Sequence, residues 1–257
     1  MKFLVIVFKN AWFVIKNFFG WMLRFAKHPE KRPIELRYKK LRNLLFELGQ
    51  RLNMKIYVTG LENVDPNEQY LFTPNHQSVF DPLIQIMILE QPLSFISKYE
   101  VKKMPFVCQA IQIIDGEFMK RDDLRQSLKV IKRVTKDLEE GNKSWTVFPE
   151  GTRSRLENFD VDEFKYGTFK LAINSKKPII PVALSGTWRI FDNRVKMKYY
   201  PIQFSFLKPI TYEEYKDMTS IELAKHVEAL VKEEHKRLRD LEPKLIKELN
   251  PKIKKIM

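Results

Sequence analysis

The chain has 257 residues, 44% hydrophobic and 30% charged, a globular composition that excludes disorder and a bundle of membrane spans. A formal charge of +14 favours polyanionic partners: anionic lipid, nucleic acid, or phosphorylated and CoA-bearing substrates. The single cysteine, Cys108, rules out an intrachain disulfide and a cysteine-based zinc site; in its apolar surroundings it reads as an inert buried thiol in a reducing compartment.

The first 26 residues are dense in Phe, Trp, Val, Ile and Leu but are interrupted by Lys2, Lys9, Lys16 and Arg24. No uncharged run reaches the roughly 18 residues of a spanning helix. At about 100° per residue, Lys2, Lys9, Lys16 and Lys27 form a narrow stripe with Asn10 and Asn17 beside it, which predicts an amphipathic helix with a basic edge. Trp12, Trp21 and the phenylalanines on its broad face suit a helix lying in a membrane interface. Core packing and a tilted span with snorkelling lysines are the alternatives. A cleaved signal peptide is disfavoured, because lysines divide the apolar region and no small-residue cleavage site follows. Gly20 marks a point for a bend, and the proline-flanked stretch His28 to Pro33 ends the segment. A second amphipathic stretch, Ile34 to Leu52, follows. Residues 1–54 are therefore assigned to an N-terminal amphipathic helical segment that associates with membrane, and 55–257 to an α/β domain.

Beyond Lys55, short β-rich runs alternate with helical patterns. The strands expected are Lys55–Thr59, Tyr70–Thr73, Ser94–Ser97, Ile111–Ile114, Trp145–Phe148, Ile179–Leu184 and Pro201–Phe206. Leu124, Leu128, Ile131, Val134 and Leu138 recur at helical spacing, with Asp122 or Asp123 as N-cap and Gly141 as the stop. Thr219 and Glu222 suggest a capping box before a long charged helix. Alternating elements of this kind predict α/β layers: a central, mostly parallel mixed sheet flanked by helices.

Chemistry concentrates in three stretches. In Asn75-His76-Gln77-Ser78-Val79-Phe80-Asp81-Pro82, Asp81 reads as an N-cap with proline at the first helical position, so His76 falls in a strand-to-helix loop at the carboxyl end of a strand. An aspartate there either caps the helix or holds an imidazole in one tautomer as a general base. His28, His226 and His235 lie in the proline break or on a charged helix and are poor rivals. Phe148-Pro149-Glu150-Gly151-Thr152-Arg153-Ser154 follows another apolar strand; Gly151 permits close backbone approach, while Thr152 and Arg153 suit phosphate oxygens. The third, Phe118 to Arg121, follows the Asp115-Gly116 turn. No G-x-S-x-G elbow supports a serine nucleophile. His76 and Asp81 are too few ligands for a metal site, so none is expected.

Together these stretches resemble the HX4D glycerolipid acyltransferase family, in particular its 1-acyl-glycerol-3-phosphate acyltransferases. His76 to Asp81 is similar to the family's HX4D motif, and Phe148 to Ser154 matches its FPEGTRS motif in full. Phe118 and Arg121 fit its second motif, with Gly116 one position out of place. Lys165-Tyr166-Gly167 is similar to its K-x-G, and Ile180-Pro181-Val182-Ala183 to its apolar fourth motif. The resemblance spans about Ile56 to Trp188. It implies that His76 is the general base and Asp81 its orienting partner, and that Arg121, Glu150, Gly151, Thr152, Arg153 and Lys165 hold the substrate. It further implies that lysophosphatidic acid accepts an acyl group from acyl-CoA or acyl carrier protein, without a further cofactor.

The implied setting is an anionic membrane surface, on the cytoplasmic face of the cell membrane. No nucleic-acid motif is present to make nucleic acid a partner. Two rival readings are an acyltransferase acting on glycerol-3-phosphate or another lysophospholipid, and a basic membrane-binding protein without catalysis.

Overall fold

The computed structural model describes residues 2–154, 156, 159–192, 194, 195 and 197–251, with the backbone alone at 2–7 and 9. Lys2 and Lys9 of the basic stripe therefore lie outside the described side chains.

The N-terminal segment is helical throughout its apolar stretch. Helix α1 (Lys2–Asn17) runs through a π-helical turn, Phe18–Met22, into α2 (Leu23–Lys27). Gly20, the expected bend point, lies inside the π-turn, a common site of helix distortion. One face of this segment packs: Phe13, Trp21, Met22, Phe25 and Ala26 are buried. The other does not, leaving Phe8, Trp12, Ile15 and Phe19 exposed at helical spacing. Among the described residues no helix is long and apolar enough to cross a membrane. Helix α3 (Ile34–Arg51) buries Tyr38, Leu41, Leu44 and Leu45 on one face, as its amphipathic spacing requires.

Among the described residues, seven strands form one sheet: β1 (Met54–Thr59), β2 (Leu71–Pro74), β3 (Leu93–Lys98), β4 (Glu117–Met119), β5 (Ser144–Thr146), β6 (Ile179–Ser185) and β7 (Tyr200–Phe206). Their order is β1-β7-β6-β2-β5-β3-β4, and every neighbouring pair is parallel except β6 and β7. The expected α/β class, with its mostly parallel mixed sheet, is what the chain adopts. Helices α4 (Asp81–Ile88), α5 (Val107–Ile113), α6 (Leu124–Glu139), α7 (Lys170–Ser175), α8 (Tyr212–Tyr215) and α9 (Ser220–Leu249) connect and follow the strands.

The central strands are apolar at successive positions because both faces are covered. Phe72, Ile180, Val182 and Leu184 join one core with α1 to α5, while Leu71, Ile179 and Ala183 join a second core with α6, α7 and α9. Burial of such a side chain contributes roughly 1.5–3 kcal/mol.

The caps read from sequence form: Asp123 accepts the Gln126 amide at 3.0 Å, and Thr219 and Glu222 exchange hydrogen bonds at the start of α9. One expected strand does not. Ile111–Ile114 lies largely in α5, whose first turn is closed by Gln109 accepting the Phe106 amide at 2.8 Å. The strand comes after the Asp115-Gly116 turn, as the three-residue β4. Ile111-Gln112-Ile113 alternates as a strand would, but Gln109 and Gln112 also stand three apart as on one helical face, and here the helix buries Cys108, Ala110, Ile111 and Ile113 together. Arg37 of α3 fixes the end of α5 through paired hydrogen bonds to Asp115 at 2.8 and 2.7 Å.

Candidate active site

The sheet topology brings the motif loops to one edge. Strands β2 and β5 are parallel neighbours, paired through Leu71 with Trp145 and Phe72 with Thr146. The loops leaving their carboxyl ends, carrying His76 and Glu150, therefore emerge side by side. Arg121 follows β4 at the same edge, where open α/β sheets place ligands.

Within the first loop, Nδ1 of His76 lies 2.7 Å from Oδ2 of Asp81, which is fully buried. The same oxygen accepts the amides of Gln77 at 2.7 Å and Ser78 at 2.8 Å. Asp81 was expected to cap its own helix, but Phe80 occupies the N-cap position and the carboxylate turns back onto the loop before it. An oxygen already accepting two amides accepts from the ring as well, so His76 carries its proton on Nδ1 and offers the Nε2 lone pair. The His76 ring stacks on Phe148, with centroids 4.1 Å apart.

The second loop grips the first. Oε1 of Glu150 accepts the His76 amide at 2.7 Å, and the Ser154 amide donates to the His76 carbonyl at 2.7 Å. Burial pushes the Glu150 carboxyl up to about 8, against the opposing pull of the His76 and Asp162 amides. Next to it Gly151 adopts φ +73°, a left-handed conformation that favours glycine. An added Cβ there would stand 3.0 Å from Nζ of Lys165 and 3.1 Å from Nη1 of Arg121. Arg121 also donates to the Gly151 carbonyl. Two cations thus converge on one backbone position.

A cavity of about 470 Å³ opens here, within the roughly 300–1,000 Å³ of ligand pockets. His76, Arg121, Gly151, Thr152, Arg153 and Lys165 line one part of its wall. Leu83 and Ile86 of α4, Phe95 of β3, Val107, Ala110 and Ile111 of α5, and Ile131 of α6 supply an apolar remainder. The sequence candidates are therefore gathered in one place, with Asp81 and Glu150 behind the wall rather than on it.

Other supporting residues were missed in the sequence. Asn75 pairs with β6, donating to the Leu184 carbonyl at 3.1 Å and accepting its amide at 2.8 Å. His235, dismissed as one histidine on a charged helix, is buried against Gln77. Its position between Glu234 and Lys236 hides the helical face it occupies; only the spacing Val231, His235, Leu238 signals it.

Residues 55–185 match the family model described as Acyltransferase. A protein of Mycoplasma pneumoniae, described as a probable 1-acyl-sn-glycerol-3-phosphate acyltransferase, is 30% identical over 212 residues, covering 77% of this chain and 78% of that protein. The 1-acyl-sn-glycerol-3-phosphate acyltransferase of Borreliella burgdorferi is 33% identical over 142 residues, covering 55% of this chain and 56% of the relative. Among solved structures, the 1-acyl-sn-glycerophosphate acyltransferase PlsC of Thermotoga maritima superposes with a TM-score of 0.71 at 23% identity, covering 93% of this chain and 98% of that one, which supports the fold. With the model match spanning both motif loops and a 30% identical relative aligned along most of its length, this chain belongs to the Acyltransferase family.

Proposed function

We propose that the chain transfers a fatty acyl group from acyl-CoA or acyl carrier protein to the sn-2 hydroxyl of 1-acyl-glycerol-3-phosphate, forming phosphatidic acid. The observation that carries this reading is the Asp81–His76 pair, held 2.7 Å apart at the wall of a cavity that is apolar along most of its lining and cationic beside the histidine. The relatives named above support the choice of acceptor.

Nε2 of His76 takes the hydroxyl proton as the acceptor oxygen attacks the thioester carbonyl carbon. The resulting tetrahedral adduct collapses with cleavage of the carbon–sulfur bond, and the thiolate takes the proton back from the imidazolium. Asp81 fixes the ring tautomer and stabilises the cation that forms. Arg121, Arg153 and Lys165, with the hydroxyl of Thr152, hold the acceptor phosphate, and Gly151 leaves room for it. Glu150 acts on the backbone of His76, while the apolar wall takes the acyl chain.

One substrate is a lipid, so the site works at a bilayer. The exposed row Phe8, Trp12, Ile15 and Phe19 lies in the interface, with exposed Lys16 and Arg24 at anionic headgroups. Residues 1–54 are thus the membrane-associating segment of the 55–257 domain. The cytoplasmic face suits it, because anionic lipid there attracts a basic surface.

Thiol release from palmitoyl-CoA, followed with and without lysophosphatidic acid in mixed micelles, tests the proposal. Release that requires the acceptor and disappears in His76→Ala is the expected result. Faster transfer to glycerol-3-phosphate or another lysophospholipid would overturn the acceptor assignment, and no transfer from either donor to any acceptor would overturn the reaction.

A further inference from the structure

Gln77 and His235 meet behind the His76 loop although 158 positions separate them; their Nε2 atoms stand 3.1 Å apart and both residues are buried. The direction of this hydrogen bond follows from the neighbouring contacts. The Gly186 amide donates to Oε1 of Gln77 at 3.0 Å, which only the carbonyl oxygen of a side-chain amide can accept. The amide nitrogen is then the atom that faces the Phe159 carbonyl at 3.1 Å and the ring of His235. An amide nitrogen has no lone pair to offer, so Nε2 of His235 is the acceptor and its ring carries a proton on Nδ1. Burial, assisted by the Arg239 guanidinium and opposed by Asp160 and Glu242, pushes His235 down to about 4, which keeps the acceptor available across the neutral range.

Gln77 connects this contact to the reacting group. Its backbone amide is one of the two that Oδ2 of Asp81 accepts, at 2.7 Å, on the oxygen that also holds His76. Side chain and backbone of one residue therefore run from α9 to the carboxylate that orients the imidazole. We infer that His235 is a positioning residue for acyl transfer, acting through Gln77 as a hydrogen-bond acceptor that holds the His76 loop in its reactive geometry.

This inference rests on the proposed acyl transfer, so its test reads both the reaction and the bond. His235→Leu fills the buried position with an apolar side chain but leaves a Gln77 N–H without its acceptor, whereas His235→Gln returns a carbonyl oxygen near Nε2. The kcat of His235→Leu is expected to fall about tenfold, with KM for palmitoyl-CoA and lysophosphatidic acid changed less than about twofold. His235→Gln should recover most of that loss. In a Gln77→Leu background the His235→Leu change should cost nothing further, because the bond is already gone.

A loss that His235→Gln does not recover, or one that adds in full to the Gln77→Leu loss, would overturn the inference. If His235→Leu does not fold, Gln77→Leu alone carries the test: unchanged kcat in that variant refutes the positioning role. The 15N spectrum of histidine-labelled wild-type protein should show His235 protonated at Nδ1 and not titrating between about pH 6 and 8. Protonation at Nε2 in that window refutes the assigned bond whatever the activity. A wild-type protein that transfers no acyl group removes the positioning role together with the reaction, while the spectrum still decides the bond.

Discussion

Oε1 of Glu150 lies 2.7 Å from the amide nitrogen of His76, so the loops that leave β2 and β5 are joined at the backbone of the histidine itself. The carboxyl stands above its ordinary range, at about 8, because burial disfavours its charged form. At neutral pH it is mainly protonated, yet the bond needs only an acceptor oxygen. Glu150→Gln, whose amide carbonyl supplies one, is expected to keep kcat within about threefold of wild type at pH 7, whereas Glu150→Ala loses the contact.

The same shift fixes the sign of a pH effect. The folded value exceeds the unfolded one, so the folded state binds more protons. Glu150 therefore stabilises fully below about 4.5, and this contribution is lost as pH rises through about 8. Denaturant unfolding of wild type, compared with Glu150→Gln from pH 5 to 8.5, should show wild type losing stability relative to the variant. A constant difference between the two would remove the burial argument.

Asp81→Asn tests the other contact of the loop. An asparagine that turns its oxygen to the Gln77 and Ser78 amides keeps those bonds but cannot stabilise an imidazolium, and one that turns its nitrogen inward meets two donors. Turnover should fall by roughly 10⁴-fold, the scale seen when an orienting aspartate is lost from a catalytic histidine, while vesicle binding persists. Retention of wild-type kcat would reduce Asp81 to a loop cap.

Much of this site was legible in the sequence because its chemistry sits in two short loops, each following an apolar strand. His76 and Asp81, and Glu150 to Arg153, are close along the chain, so their residue types alone pointed to a cavity edge. The parts that escaped depend on distant pairing. The side chain of Asn75 meets β6 at Leu184, and that of Gln77 meets α9, 158 positions away. Residues 111–114 escaped for a different reason: three isoleucines around one glutamine, Gln112, satisfy a half-buried helix as well as a strand. The turn at Gly116 then stands before the strand rather than after it.

The N-terminal segment needs a test that spares the core. Deletion up to Ala26 would remove Phe13, Trp21, Met22 and Phe25, all buried, and so would confuse membrane binding with stability. Trp12 and Phe8 are 77% and 83% exposed, and Glu at both positions leaves the packed face intact. Each aromatic withdrawn from an interface forfeits roughly 1.5–3 kcal/mol, so cosedimentation with phosphatidylglycerol vesicles should weaken at least about tenfold at unchanged thermal stability. Undiminished binding would place the membrane contact on another surface.

Gly151 separates geometry from charge in the phosphate site. At φ +73° an alanine bears a backbone cost of roughly 1–2 kcal/mol, visible as a modest fall in unfolding free energy. Its Cβ would also press on Nζ of Lys165 and Nη1 of Arg121, 3.0 and 3.1 Å away. Both are ends of flexible side chains, so they yield rather than break the fold, and in yielding they part the two cations. The Asp81–His76 pair lies outside these contacts. Gly151→Ala should therefore raise KM for lysophosphatidic acid about tenfold while kcat at saturation stays within about threefold, a division that places the loss in acceptor binding. An equal fall in kcat with KM unchanged would instead place Gly151 among the groups that act only on the transition state, and would move the phosphate away from Arg121 and Lys165.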